Sequence, residues 1–378
     1  MRFSDIKSQE KTIDILQKMV EGDRIPHALL FTGPKGSGKT ILALALANYI
    51  LCTNKGVDRC GTCNPCIKAN KIVHPDLNLV FPVVKKDGKQ RAETLSADFI
   101  TKWRSFILEN PYGTLENWMN YINSQTQPNI NRKECTEIIK KMGLHSFESE
   151  YKILLIWNAE SLGREGNSLL KLIEEPPEKT VIILIAEKPD AVLGTIQSRC
   201  QIIHVGPLSD AAVRNQLDNY ELTNDQKQEI VHIAEGNMNA AIALVENTQE
   251  TVSTEILDWF RIAYKNDPAQ LVQWVNTIST KGKPAQKRFL SYALFFMKEY
   301  LKLLYTSDFS NARLSEEEKA TAEKMARIID VYKTEDIAIL IEENIGYLTR
   351  NANSKIVFMD MSIQLERIMK TKVEQLIN

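Results

Sequence analysis

The sequence predicts a doubly wound, parallel α/β domain followed by an all-helical remainder. Three observations carry this. First, Gly33-Pro34-Lys35-Gly36-Ser37-Gly38-Lys39-Thr40 fits the phosphate-loop pattern, with a short apolar run before it and an apolar helical pattern after it. Second, continuous apolar runs alternate with helical patterns as far as Val205, which is how strands buried on both faces of a parallel sheet read. Third, from Ser209 onward strand signals stop and helical periodicity takes over.

Taken in order, residues 4–22 predict an amphipathic helix, with Ile6, Ile13, Leu16, Met19 and Val20 near helical spacing and Gly22 at its stop. Residues 28–31 predict the first buried strand. In the loop that follows, glycines let consecutive backbone N–H groups turn inward at phosphate oxygens. The helix predicted over 41–51 adds the positive end of its dipole at the same spot. Lys39 then reaches the β and γ phosphates, and the Thr40 hydroxyl binds Mg²⁺. The plainer alternative is a loop that keeps its shape but no longer needs a ligand.

Cys60, Cys63 and Cys66 form two overlapping C-x-x-C steps, with Cys52 upstream and Gly56, Gly61 and Pro65 supplying turns. Four thiolates so spaced close a tetrahedral zinc site that is structural, because no position stays open for chemistry. Free thiols, or His74 in place of Cys52, are the alternatives. The opening Met1-Arg2-Phe3-Ser4-Asp5 does not read as a signal peptide, and no apolar run reaches membrane-spanning length. A cytoplasmic protein with reduced cysteines is therefore expected. Lys+Arg is 47 against Asp+Glu 48, so no global basic signal marks nucleic-acid binding; a local patch or a partner would have to carry a DNA contact.

Residues 77–81 predict a second strand. An insertion over about 85–130 follows. Its start, 85–91, is polar and contains Gly88, and reads as a solvated hairpin, with a phosphate contact as the sharper alternative. Residues 94–109 predict a helix broken by Pro111-Tyr112-Gly113. Trp103, Phe106, Trp118 and Tyr121 are expected to pack the insertion against the core, with a base-stacking platform as the alternative. A helix over 130–142 ends at Gly143. Strands are predicted at 152–157, 181–186 and 201–205, with a helix over 165–175 stopped by Pro176-Pro177. Beyond them, short helices are predicted at 209–220, 223–236 and 237–246, and helix throughout 251–378.

Several stretches together resemble one family. They are Arg-Ile-Pro-His-Ala-Leu-Leu-Phe-Thr-Gly at 24–33, the four-cysteine module after the phosphate-loop helix, Asn-Ser-Leu-Leu-Lys-Leu-Ile-Glu-Glu-Pro-Pro at 167–177, and Ser198-Arg199-Cys200. The chain is similar to bacterial clamp loaders, the AAA+ family that contains the gamma/tau and delta-prime subunits of DNA polymerase III. The motifs cover roughly residues 1–240; the helical remainder is similar only in kind and length. The resemblance implies a nucleotide-binding base at 1–207, carrying the zinc module (about 52–66) and the insertion. It also implies a helical lid at 208–248 and a helical collar at 249–378 that holds a ring together. Implied partners are the other clamp-loader subunits, gamma/tau and delta, and through the assembly the sliding clamp and primed DNA; no membrane is implied.

The departures from the gamma pattern matter. In gamma, the strand equivalent to 153–156 runs into Asp-Glu, which hold Mg²⁺ and orient the attacking water; here those places hold Trp157 and Asn158. An indole does not ligate Mg²⁺, and an amide is no base. Ala186 and Glu187 stand where a sensor hydroxyl is usual, and Asn239 where an arginine is usual. The resemblance is therefore to the delta-prime type of subunit, a component of the DNA polymerase III holoenzyme that binds ATP or ADP, with or without Mg²⁺, and hydrolyses it poorly. It implies that Arg199 acts in trans, on the nucleotide of a neighbouring subunit, with pairing to a local carboxylate as the alternative. Two other readings stay open: a gamma-like motor using Glu160, and a scaffold with a vestigial phosphate loop.

Overall fold

The computed structural model describes residues 1–6, 8–124, 126–245, 253–265, 267–306, 314–350 and 352–371. The chain divides into two compact units, Met1–Val213 with Gly236–Ala240, and Arg214–Glu235 with Ala241–Asn378. The segment expected as a lid, 208–248, is thus shared between the two units, and the expected boundary at 248/249 lies outside the described residues.

The first unit is built on strands β1 (Ala28–Thr32), β2 (Leu77–Val80), β3 (Lys152–Trp157), β4 (Thr180–Ala186) and β5 (Gln201–His204). They form one parallel sheet in the order β2-β3-β4-β1-β5. Every residue of β1, β3 and β4 is buried, which is why these strands read as unbroken apolar runs. β1 lies between β4 and β5, so the loop leaving its carboxyl end opens beside the ends of those two strands, with the end of β3 one strand beyond β4. Thr32 is in register with Ala186, and Ile185 with Trp157. The carboxyl edge of a doubly wound sheet is where such folds place ligands.

The helix Lys39–Leu51 is buried along its whole length and covers one face of the sheet. The other face packs against Cys135, Ile138 and Met142 of the helix Arg132–Met142 and against Leu162, Leu169 and Leu172. The helix expected at 165–175 is only partly α-helical. Residues Ala159–Leu169 run as 3₁₀ turns across a non-helical Gly163, and one α segment, Leu170–Glu174, follows. Close packing accompanies the tighter winding: a Cβ on Gly166 would stand 3.0 Å from Ile196 Cδ1.

The insertion packs on the same core as the Lys39–Leu51 helix. Its helices Ile100–Glu109 and Leu115–Tyr121 bury Trp103, Phe106 and Trp118. Trp103 stacks on Phe81 with ring centroids 4.9 Å apart, and the Trp118 Nε1–H donates to the Pro82 carbonyl at 3.0 Å. These three rings are core and offer no stacking platform. Residues 85–91 form an exposed turn around Gly88 and not a hairpin; the antiparallel bridge here joins Val83 to Asn129 and closes the insertion at its base.

The second unit is helical among its described residues. Thr223 and Gln226 form the capping box of Asn224–Ala234. Ser253–Lys265, Pro268–Thr280, Lys283–Thr306, Glu316–Met325, Val331–Thr349 and Ser354–Lys370 follow, around a core that includes Trp259, Phe289, Phe296 and Phe358. No described helix is long and apolar enough to cross a membrane.

Candidate functional site

Residues 33–40 form a curled, glycine-rich turn that leads from β1 into the helix Lys39–Leu51. Gly33, at φ 153°, lies so close to the end of β5 that an added Cβ would stand 2.0 Å from the Val205 carbonyl oxygen. Gly36, at φ 66°, lies equally close to Asn237 Oδ1, and the Met238 N–H donates to its carbonyl at 3.2 Å. Only glycine meets both demands, a left-handed backbone and no side chain in the way. Gly38 caps the helix Lys39–Leu51, so the N-terminal end of that dipole faces the loop, with Pro34, Lys35 and Ser37 completing the curl.

The side chains are engaged inside the chain. Lys39 is buried, and its Nζ donates to the carbonyls of Gly33 at 2.8 Å and Pro34 at 2.6 Å. Burial brings its ammonium down from 10.5 to about 8, against the pull of Glu187 and Glu160. Burial also pushes the Glu187 carboxyl up, with Lys39 opposing. The Thr40 hydroxyl accepts from Trp157 Nε1–H at 3.1 Å. Trp157 in turn meets Trp103 and Phe106 of the insertion edge-on, each at 6.1 Å. Asn158 takes a left-handed backbone, and its Oδ1 accepts from Ser161 at 2.5 Å. Glu160 Oε1 accepts the N–H groups of Glu187 at 2.6 Å and Lys188 at 2.7 Å, which makes it a clamp on that turn.

The cavity left above the loop, against Tyr112, Trp157, Asn158 and Glu187, measures about 20 Å³. That is room for one water. The backbone therefore fits a phosphate, but the space above it does not. The donor set does not fit Mg²⁺ either, since the carboxylate position holds an indole already bonded to Thr40. Tyr112 had no linear signal beyond a Pro-x-Gly break, and only the fold brings it to the loop.

Arg199 follows the short helix Gly194–Gln197. Its guanidinium pairs with Glu174 and donates to the Thr195 carbonyl at 2.8 Å and to Ser198 Oγ at 3.3 Å. The side chain remains about one-third exposed.

The four cysteines meet. Cys52 Sγ lies 3.7 Å from Cys60 Sγ and 3.9 Å from Cys63 Sγ; Cys60 and Cys66 are 4.0 Å apart, and all four sulfurs lie within 4.8 Å of one another. A zinc tetrahedron with Zn–S bonds of about 2.3 Å has sulfur–sulfur edges of about 3.8 Å, so the thiols fit that ion. The N–H groups of Cys63 and Thr62 hold Cys60 down at about 6, while burial pushes Cys66 up to about 12. His74 is not a ligand: its Nδ1 accepts from the Asp76 N–H at 3.1 Å, and its Nε2 meets Ser149 Oγ and Glu148, each at 3.2 Å.

Comparison with known proteins agrees with the arrangement of the first unit. The family described as "DNA polymerase III, delta subunit" matches residues 8–209. The delta' subunit of DNA polymerase III from Bacillus subtilis is 28% identical over 242 residues, which is 64% of this chain and 60% of that protein. The Escherichia coli delta' subunit is 24% identical over 269 residues, 67% of this chain and 68% of its own. The Escherichia coli tau subunit is 27% identical over 254 residues, 65% of this chain and 32% of that longer protein.

Proposed function

Because the chain belongs to the DNA polymerase III delta subunit family, we propose that it is a clamp-loader subunit of the delta-prime type, one that supports its neighbours' hydrolysis and performs little of its own. The observation that carries this reading is the Trp157 N–H on the Thr40 hydroxyl, where a hydrolysing site needs a metal and a carboxylate. On this reading residues 1–207 form the nucleotide-binding base and 208–248 the lid. Residues 249–378 form a collar through which the chain assembles with gamma/tau-type and delta-type subunits. The sliding clamp and primed DNA are met through that assembly. The four cysteines hold a structural zinc ion.

Arg199 is proposed to act across the subunit seam. A part-exposed ion pair such as Arg199–Glu174 is worth about 0–1 kcal/mol, so exchanging Glu174 for a neighbour's phosphate costs little. A guanidinium there stabilises charge spread over the γ-phosphoryl oxygens and withdraws none from this chain's own loop.

The test is reconstitution. Gamma-type and delta-type subunits should load the clamp onto primed DNA only when this chain is present, while the isolated chain shows no turnover above a Lys39→Ala control. Robust hydrolysis by the isolated chain, lost in Lys39→Ala, would overturn the reading.

A further inference from the structure

We infer that the insertion closes this chain's own phosphate loop, with Tyr112 as a movable stopper, so that a nucleoside di- or triphosphate binds only after Tyr112 leaves Gly38. This rests on the phosphate-loop reading above and adds a control to it. Tyr112 Cε1 lies 3.4 Å from where a Cβ on Gly38 would stand, and both residues line the same small cavity, so the ring takes the space beside the last glycine before the helix. Beneath it, Lys39 bonds to the loop's own carbonyls and Ser37 Oγ is buried without a partner. The space left is about 20 Å³, whereas an open groove of about 850 Å³ lies next door and shares Asn158 and Glu187 with it. Ligand-sized room exists beside the loop, but not on it.

Of the two rings at the loop, Tyr112 is the less buried, although it too packs against the core. Trp157 is fixed by its bond to Thr40 and by two edge-on aromatic neighbours. Tyr112 sits half-buried on a turn between two helices. That turn sets its position. The Asn110 N–H donates to the Phe106 carbonyl at 2.7 Å, and the Gly113 N–H donates to the Asn110 carbonyl at 2.8 Å. A Cβ on Gly113 would stand 2.7 Å from Phe106 Cζ, so the turn is seated directly on the aromatic core of the insertion. Thr114 then starts the next helix, with its N–H donating to Asn117 Oδ1 at 2.9 Å. The stopper is thus aimed by the same aromatic cluster that holds Trp157 at the metal position.

The experiment titrates a fluorescent ADP analogue into the full-length wild type, Tyr112→Ala, Tyr112→Phe, Lys39→Ala and the Tyr112→Ala/Lys39→Ala double variant. Thermal melts run alongside, and Tyr112→Ser replaces Tyr112→Ala should the latter melt early. Tyr112→Ala should bind at least tenfold tighter than wild type, Tyr112→Phe should match wild type, and the gain should vanish in the double variant. Equal affinity of wild type and Tyr112→Ala overturns the stopper and leaves the loop reading intact. Absence of binding to both overturns the loop as a nucleotide site, and the stopper with it.

Discussion

The indole N–H of Trp157 donates to the hydroxyl of Thr40 at 3.1 Å, across 117 residues of sequence. In a hydrolysing phosphate-loop site that hydroxyl serves a magnesium ion, and the end of the neighbouring strand supplies a carboxylate. Here one aromatic residue fills the acid's place, occupies the hydroxyl and ties the sheet edge to the insertion.

Replacing Trp157 with Phe removes the donor and trims a buried ring. Unfolding by urea should show a loss of at least about 1–2 kcal/mol, from the broken hydrogen bond and the smaller ring together. Trp157→Asp should cost more, about 3–5 kcal/mol, because it sets an unpaired carboxylate against Trp103 and Phe106. It should not produce turnover, since Asn158 still lacks a base.

Arg199→Ala should leave complex assembly unchanged by gel filtration and slow ATP hydrolysis by the reconstituted loader about 10³-fold. Arg199→Lys should not restore the rate, because an ammonium lacks the planar fork of donors. Glu174→Ala should leave the rate at or above wild type, since it removes the competing partner. Unchanged turnover in Arg199→Ala would reject the role.

Protein purified without added zinc should carry one zinc ion per chain by elemental analysis, and Cys63→Ser should lower that content and the melting temperature together. Arg59 links the module to the rest of the unit: its Nε donates to the Met1 carbonyl at 3.0 Å, and its Nη2 to Asn70 Oδ1 at 2.5 Å. Chelation should therefore loosen the N-terminus as well, visible as faster amide exchange over residues 1–6. A metal-free, fully stable protein would end the zinc assignment.

In the helical unit, Arg288 Nε and Nη2 reach Glu229 Oε1 at 3.0 and 2.6 Å, with both side chains buried. Truncating one partner leaves a charge in low dielectric. Arg288→Ala should cost about 3–5 kcal/mol, and Arg288→Met with Glu229→Leu should recover most of it. Denaturant unfolding of the single and double variants measures this directly.

Lys39 supplies a pH test. Its ammonium sits at about 8 in the folded chain against an ordinary 10.5. Between those values the unfolded chain binds more protons at this site than the folded one, so folding stability gains as pH rises from about 8 to 10.5. Below pH 8 the full cost of burying the charge is present. The difference in stability between wild type and Lys39→Met should therefore shift in favour of wild type across that window and stay flat between pH 6 and 7.

Much of the first unit was legible in the chain itself. The apolar runs at 152–157 and 181–186 read as strands because both faces of a parallel sheet are covered, and β3 and β4 are buried throughout. The cysteine spacing foretold the cluster because its sulfurs sit on a short turn-rich segment that closes on itself. The 165–175 helix was overdrawn, since periodicity does not separate α from 3₁₀ winding where Gly163 breaks the helical backbone and Gly166 packs closely on Ile196. Arg199 was singled out by resemblance, and the alternative reading, that it pairs with a local carboxylate, is what the structure shows; that the partner is Glu174 was not legible.

What the linear order determined by itself is everything governed by neighbours a few residues apart: strand and helix periods, glycines where the loop turns left-handed, and thiols spaced to converge. What only the tertiary structure decided is which groups meet once distant segments fold together, such as Trp157 with Thr40 and Tyr112 with Gly38. Periodicity records whether a side chain faces the core or the solvent. It does not record which partner stands opposite, because that depends on strand order and on how the insertion docks. The loop's potential to hold phosphate is therefore local, and the closing of that loop is a property of the fold.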